Sequence, residues 1–163
     1  MQLIGRPIIY SLMLGLCAML CFGHASAASP INTLEKSGLF GKYKPSGIAI
    51  RGYDTVAYFT ESKARQGSAD FQVMWEDATW HFATQEHADL FAANPMKYAP
   101  QYGGYCAYGV AQEYLVKIEP DQWRIEDGKL YLNYDSKVQK LWLADVPGFI
   151  ETADKNITGL LAK

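Results

Sequence analysis

Cys106 is the residue of this chain best suited to covalent or metal chemistry. It lies in "YGGYCAYG", residues 102–109, among three tyrosines and three glycines. A thiolate is a nucleophile and a soft-metal ligand, and its reactivity follows local charge and exposure. Gly103, Gly104 and Gly109 let the backbone take positive φ and come close to another group. Amides exposed in such a bend favour a thiolate by donating to it. Tyr102, Tyr105 and Tyr108 add apolar bulk with hydroxyl tips, so the octet reads as built to present or shield one sulfur. The competing reading is a tight turn with aromatic core anchors and a cysteine packed as a small hydrophobe.

His87 is the second candidate. At about 100° per residue it falls between Leu90 and Phe91, on the apolar stripe of a helix expected over 85–93. Its place in the first turn, at the positive end of the helix dipole, disfavours protonation. A neutral imidazole binds metal or accepts a proton; the alternative is a core histidine bonded to a backbone carbonyl. His81 alternates away from Trp80 and Phe82 and reads as an exposed hairpin residue. Tyr53 and Asp54 open "GYDTVAYF", where Asp54 is expected to cap a turn. The carboxylates form no close pair of the glycosidase kind. No nucleophile elbow, phosphate loop or dinucleotide fingerprint occurs, so no enzymatic activity is assigned.

Such residues need elements to hold them. "GYDTVAYF" reads as a turn entering a short strand. In "FQVMW" the residues Phe71, Val73 and Trp75 share one face at period two, and "TWHF" (79–82) runs back after a turn at Glu76–Ala78. Thr84 is a good N-cap for the helix Gln85–Ala93, which must stop before Asn94-Pro95. Residues 95–112 read as a loop carrying the cysteine. A second hairpin follows, Trp123–Ile125 and Lys129–Tyr134 about an Asp127-Gly128 turn. Asp135 caps a helix to about Ala144, Pro147-Gly148 breaks it, and a short final helix ends the chain. No internal repeat is evident. The expected fold is α+β, a small single domain of antiparallel hairpins and short helices.

The compartment decides what a lone thiol can do. Residues 1–27 read as an export signal: Arg6, an apolar run from Ile8 to Phe22, then "HASA" at a cleavage-like site, with cleavage expected after Ala27. The run is short for a membrane span, so an exported periplasmic or secreted product with no integral span is expected. Cys17 and Cys21 would leave with the signal, and Cys106 would have no intramolecular partner. Residues 28–51 form a lead-in and 52–163 the domain. Without Arg6 the chain has 14 basic against 17 acidic residues, dispersed and net −3. That charge pattern argues against a nucleic-acid partner.

The run from "GYDTVAYF" through "WEDATWHFATQEHADLFAANPMKYAPQYGGYCAYGVA" resembles the YHS domain, most closely its exported bacterial (seleno)protein branch; "DGKLYLNYDSKVQKLW" fits that branch too. The resemblance implies a small α+β module and, in the wider group, metal sensing, trafficking or binding. Those metal-binding relatives place one cysteine near the domain start and a Cys-x-x-x-Cys pair where this chain has "ATQEH". Here Ala83 and His87 stand at the pair positions, and "YDTVAY" holds no cysteine. The branch's seleno label implies that the Cys106 position can hold a more reactive chalcogen.

Three functions are therefore expected. The first is a binding module for a soft, copper-like ion through Cys106 with His87 behind it, supported by Tyr53, Asp54, Gly103, Gly104, Tyr105 and Tyr108. The second is a thiol-redox protein using Cys106. The third is a non-catalytic interaction domain in which the cysteine is inert.

Overall fold

Caps and tight turns set the elements in the computed structural model, which describes residues 27–38 and 41–163. The expected signal, with Cys17 and Cys21, and the apolar pair Leu39–Phe40 lie outside the described residues. Three antiparallel hairpins form separate two-stranded sheets: β1 (Leu34–Lys36) with β2 (Tyr43–Pro45), β3 (Ser68–Trp75) with β4 (Ala78–Phe82), and β5 (Glu119–Glu126) with β6 (Lys129–Asn133). The helices are α1 (Thr55–Thr60), α2 (Gln85–Ala93), α3 (Pro95–Tyr98), α4 (Ala107–Ala111), α5 (Ser136–Leu143) and α6 (Val146–Leu161). This is the α+β domain expected. Among the described residues no helix is long and apolar enough to cross a membrane.

The strongly patterned segments fold as read. Thr84 caps α2, its hydroxyl accepting from the His87 amide at 3.1 Å, and Asp135 caps α5 through the Lys137 and Val138 amides. Three segments differ. "GYDTVAYF" is not a strand: Asp54 Oδ1 accepts from the Val56 and Ala57 amides and starts α1, so capping overrides the β-branched run. The cysteine loop contains α3, a 3₁₀ turn at Gln101–Gly104 and α4. The final helix spans 16 residues; Asp145 caps it and Pro147 sits in its first turn, where a missing N–H costs nothing.

The chain also holds one structural unit twice, against the expectation of no repeat. Ala49–Gly52 and Gln101–Gly104 are 3₁₀ turns, each with two left-handed residues (Ile50 and Arg51; Tyr102 and Gly103) followed by a positive-φ glycine. Each leads through a tyrosine into a capped helix, with Asp54 as the cap of α1 and Cys106 as the cap of α4. The hairpins then match residue for residue at an offset of 51. Ser68 pairs with Phe82 and Trp75 with Ala78; Glu119 pairs with Asn133 and Glu126 with Lys129; both ladders slip at the same place. Capped helices α2 and α5 follow, and Asn94 and Asp145 cap the next ones.

The two units share one interior. Trp80, Phe82 and Phe91 lie in one buried cluster, Trp142, Val110 and Ala153 in the other. β6 runs between them: Leu130 and Leu132 face the first cluster while Tyr131 faces the second. The residues expected to lead in belong to this interior. Ile31 and Ile50 are buried core residues, and the Ile50 amide donates to Asn32 O at 2.9 Å.

Candidate functional site

In the first unit the polar centre is Asp54, fully buried, with donors on both oxygens. Oδ1 takes the two α1 amides. Oδ2 takes the Ala83 amide at 2.8 Å and His87 Nδ1 at 2.7 Å. A carboxylate can only accept, so Nδ1 is the protonated ring nitrogen and Nε2 faces outward. Nε2 lies 3.4 Å from Thr60 Oγ1 and 3.9 Å from Glu61 Oε1. The order hydroxyl, imidazole, carboxylate is that of a nucleophile relay. Thr60, however, is engaged with Val56 O at 3.1 Å, and His87 lines none of the four main cavities among the described residues. The pair fastens α1 to the start of α2.

Cys106 holds the equivalent place in the second unit. Its sulfur caps α4 by accepting from the Gly109 amide at 3.3 Å, and its thiol points to Asn133 Oδ1 at 3.8 Å. The residue is fully buried. Burial pushes the thiol pKa up, against the opposing pull of the Gly109, Tyr134 and Tyr108 amides. The result is a neutral thiol among amide donors. Asn133 is itself fully buried, and its Nδ2 has no partner among the described residues.

A cavity of about 330 Å³ opens beside this thiol. Its walls include Cys106, Tyr108, Gln112, Val116, Tyr134 and Val138. The lining residues are mostly aromatic and aliphatic, with Gln112, Cys106 and the tyrosine hydroxyls as polar groups.

The glycines divide their work differently from expectation. Gly103 and Gly104 do not cradle the sulfur; their carbonyls hold Asn32, accepting from its backbone amide at 2.8 Å and its Nδ2 at 3.0 Å. A Cβ on Gly103 would stand 1.8 Å from Pro30 O, and one on Gly104 2.5 Å from Ile50 Cγ2. Tyr105 likewise turns to Ser29 O at 3.1 Å. Gly109 is the glycine at the sulfur. Tyr108 lines the cavity, whereas Asp54, next to Tyr53 in sequence, lies with His87 in the other unit. The structure does not join Cys106 to His87: they share no hydrogen-bond partner, and the imidazole faces Asp54, Thr60 and Glu61.

The expected soft-ion ligands Cys106 and His87 bond to different partners. Cys106 is a lone thiol with an amide oxygen nearby, and no group of three metal-ligating side chains occurs among the described residues. A tetrahedral thiolate-rich site needs more sulfur or imidazole than this. Asn133, Tyr134 and Val138 escaped sequence reading because each looks like an ordinary strand or helix residue. Only the offset between the two hairpins reveals them as counterparts of Phe82, Ala83 and His87. Compared with family models, curated proteins and solved structures, the chain matches none.

Proposed function

We propose that this protein is an exported, non-catalytic binding module of the YHS type, and that its ligand enters the tyrosine-lined cavity beside Cys106. The carrying observation is that cavity: its volume, about 330 Å³, falls in the range of small-ligand pockets, which are mostly apolar with a few placed polar groups. Cys106 serves there as a neutral wall and a helix cap. The YHS reading is supported by Ala83 and His87, which stand at the relatives' cysteine-pair positions and meet Asp54 of "YDTVAY" within 2.8 Å. In this chain that meeting point carries a carboxylate–imidazole pair in place of thiolates.

The test uses p-cresol, whose ring suits tyrosine walls. Saturable amide shifts at Gly109 and Tyr134 are expected, and Val138→Trp, which fills the cavity, is expected to abolish them. A folded Val138→Trp variant that binds as well as the parent, or a parent in which neither p-cresol nor any other small planar ring gives a saturable shift, sinks the reading.

A further inference from the structure

The cavity beside Cys106 is the vacated counterpart of the seat that the His87 ring fills. Asp54, which holds Nδ1, corresponds to Cys106; both accept from an amide three residues on, Ala57 and Gly109. The Asp54 amide donates to Arg65 O at 2.9 Å and the Cys106 amide to Val116 O at 3.4 Å, fixing Val116 as the counterpart of Arg65. Ala83, whose amide reaches Asp54, corresponds to Tyr134, whose amide opposes the rise in the Cys106 thiol pKa. Thr60, facing the outer ring nitrogen, corresponds to Gln112. His87 itself corresponds to Val138. Cys106, Gln112, Val116, Tyr134 and Val138 are all cavity walls. The second unit therefore keeps the frame around an imidazole and lacks the imidazole.

From this correspondence we infer that the cavity takes a small planar azole of the imidazole type, one ring nitrogen toward Cys106 and the other toward the Gln112 amide. Asn133 stands behind the sulfur, outside the cavity wall. It replaces the core residue Phe82, is fully buried, and carries an unpartnered Nδ2 on the amide that faces the sulfur. A hydrophobic core position does not acquire such a group without a polar counterpart. Turned away from Asn133 Oδ1, the neutral thiol can donate to an unprotonated ring nitrogen, and the side chain of Gln112 can donate or accept at the opposite one.

This inference rests on the cavity being a binding site, so the experiment separates the two. The protein is titrated with 4-methylimidazole, with pyrrole (the same ring size without an acceptor nitrogen), with p-cresol and with acetyl-Gly-His-Gly-amide. The azole is expected to bind about tenfold or more tightly than pyrrole, the scale of one buried hydrogen bond to a polar group. Cys106→Asp, which restores the first unit's carboxylate, is expected to tighten azole binding further. Val138→His, whose side chain occupies the seat, is expected to exclude it. Binding of the tripeptide alongside the free ring assigns the ligand to a partner's histidine, and binding of the free ring alone to a small molecule; both support the inference. If p-cresol binds while the azole is no better than pyrrole, the cavity stands and the azole assignment falls. If no probe binds, both fall. Should Cys106→Asp fail to fold, Val138→His decides: a folded variant that still binds 4-methylimidazole like the parent overturns the correspondence.

Discussion

Asp54 and Cys106 do the same mechanical task with different chemistry, and that comparison can be measured. Each caps a short helix; Asp54 also ties α1 to the start of α2, while Cys106 reaches Asn133 at the end of β6. Asp54 satisfies three backbone amides and the His87 ring, so Asp54→Ala strips all four partners at once. Breaking a buried pair of this kind costs about 3–5 kcal/mol. Cys106→Ala removes a weak sulfur acceptor and little volume, and should cost about 1 kcal/mol. Urea unfolding of both variants checks the ordering; equal losses would mean that the two positions are not equivalent. The same burial predicts slow alkylation of Cys106 by iodoacetamide at neutral pH, because its thiol pKa is raised and only the thiolate attacks. A rate matching a free thiol would favour the redox reading instead. Sequence reading found both residues, since a lone Cys among glycines and an Asp after Gly-Tyr are conspicuous. It paired Cys106 with His87 because nothing local says which carboxylate an imidazole will meet.

At the scale of elements, the glycines show where local freedom serves long-range docking. Gly103 has φ +62, and an added Cβ would lie 1.8 Å from Pro30 O. Gly103→Ala must therefore displace the Pro30–Asn32 segment, with a loss of about 2–3 kcal/mol and faster exchange of the Asn32 amide. Gly47 has φ +79 with nothing within 4 Å of its would-be Cβ, so Gly47→Ala should cost only the backbone term of about 1–2 kcal/mol. Unchanged Asn32 exchange in Gly103→Ala would show that the docking does not depend on that close approach. The hairpins, α2 and α5 were legible because alternation, turn residues and Thr or Asp caps agree there. Helix α1 was not, since Thr55, Val56 and Tyr58 favour a strand locally and the deciding amide bonds to Asp54 are invisible to pattern. The repeat was hidden for a related reason. Its two copies keep turns, caps and register, yet replace Phe82 by Asn133 and His87 by Val138.

For the molecule as a whole, burial of phenols and the thiol fixes how stability responds to alkali. Burial pushes up the pKa of Tyr58, Tyr102, Tyr105, Tyr131 and Cys106. Tyr58 donates to Pro120 O and Tyr102 to Asp154 Oδ1, both at 2.9 Å, so each phenol is held in its protonated form. In the unfolded chain these groups ionise at their ordinary values, about 8.5 for the thiol and about 10 for the phenols. Between those values and the raised native ones the native state binds more protons than the unfolded state, and stability falls as pH rises. The contribution is complete below the ordinary values. Urea midpoints should therefore be flat from neutrality to about pH 8.5 and then decline steeply. Tyr102→Phe should flatten that decline because it removes one of the protons while keeping the ring against Tyr131, 5.9 Å away between centroids. Tyr114→Phe, at an exposed position, is the comparison. A midpoint independent of pH up to 10.5, or an equal effect of the two substitutions, would separate alkaline behaviour from the shared interior. It would then have to be sought in the surface charges instead.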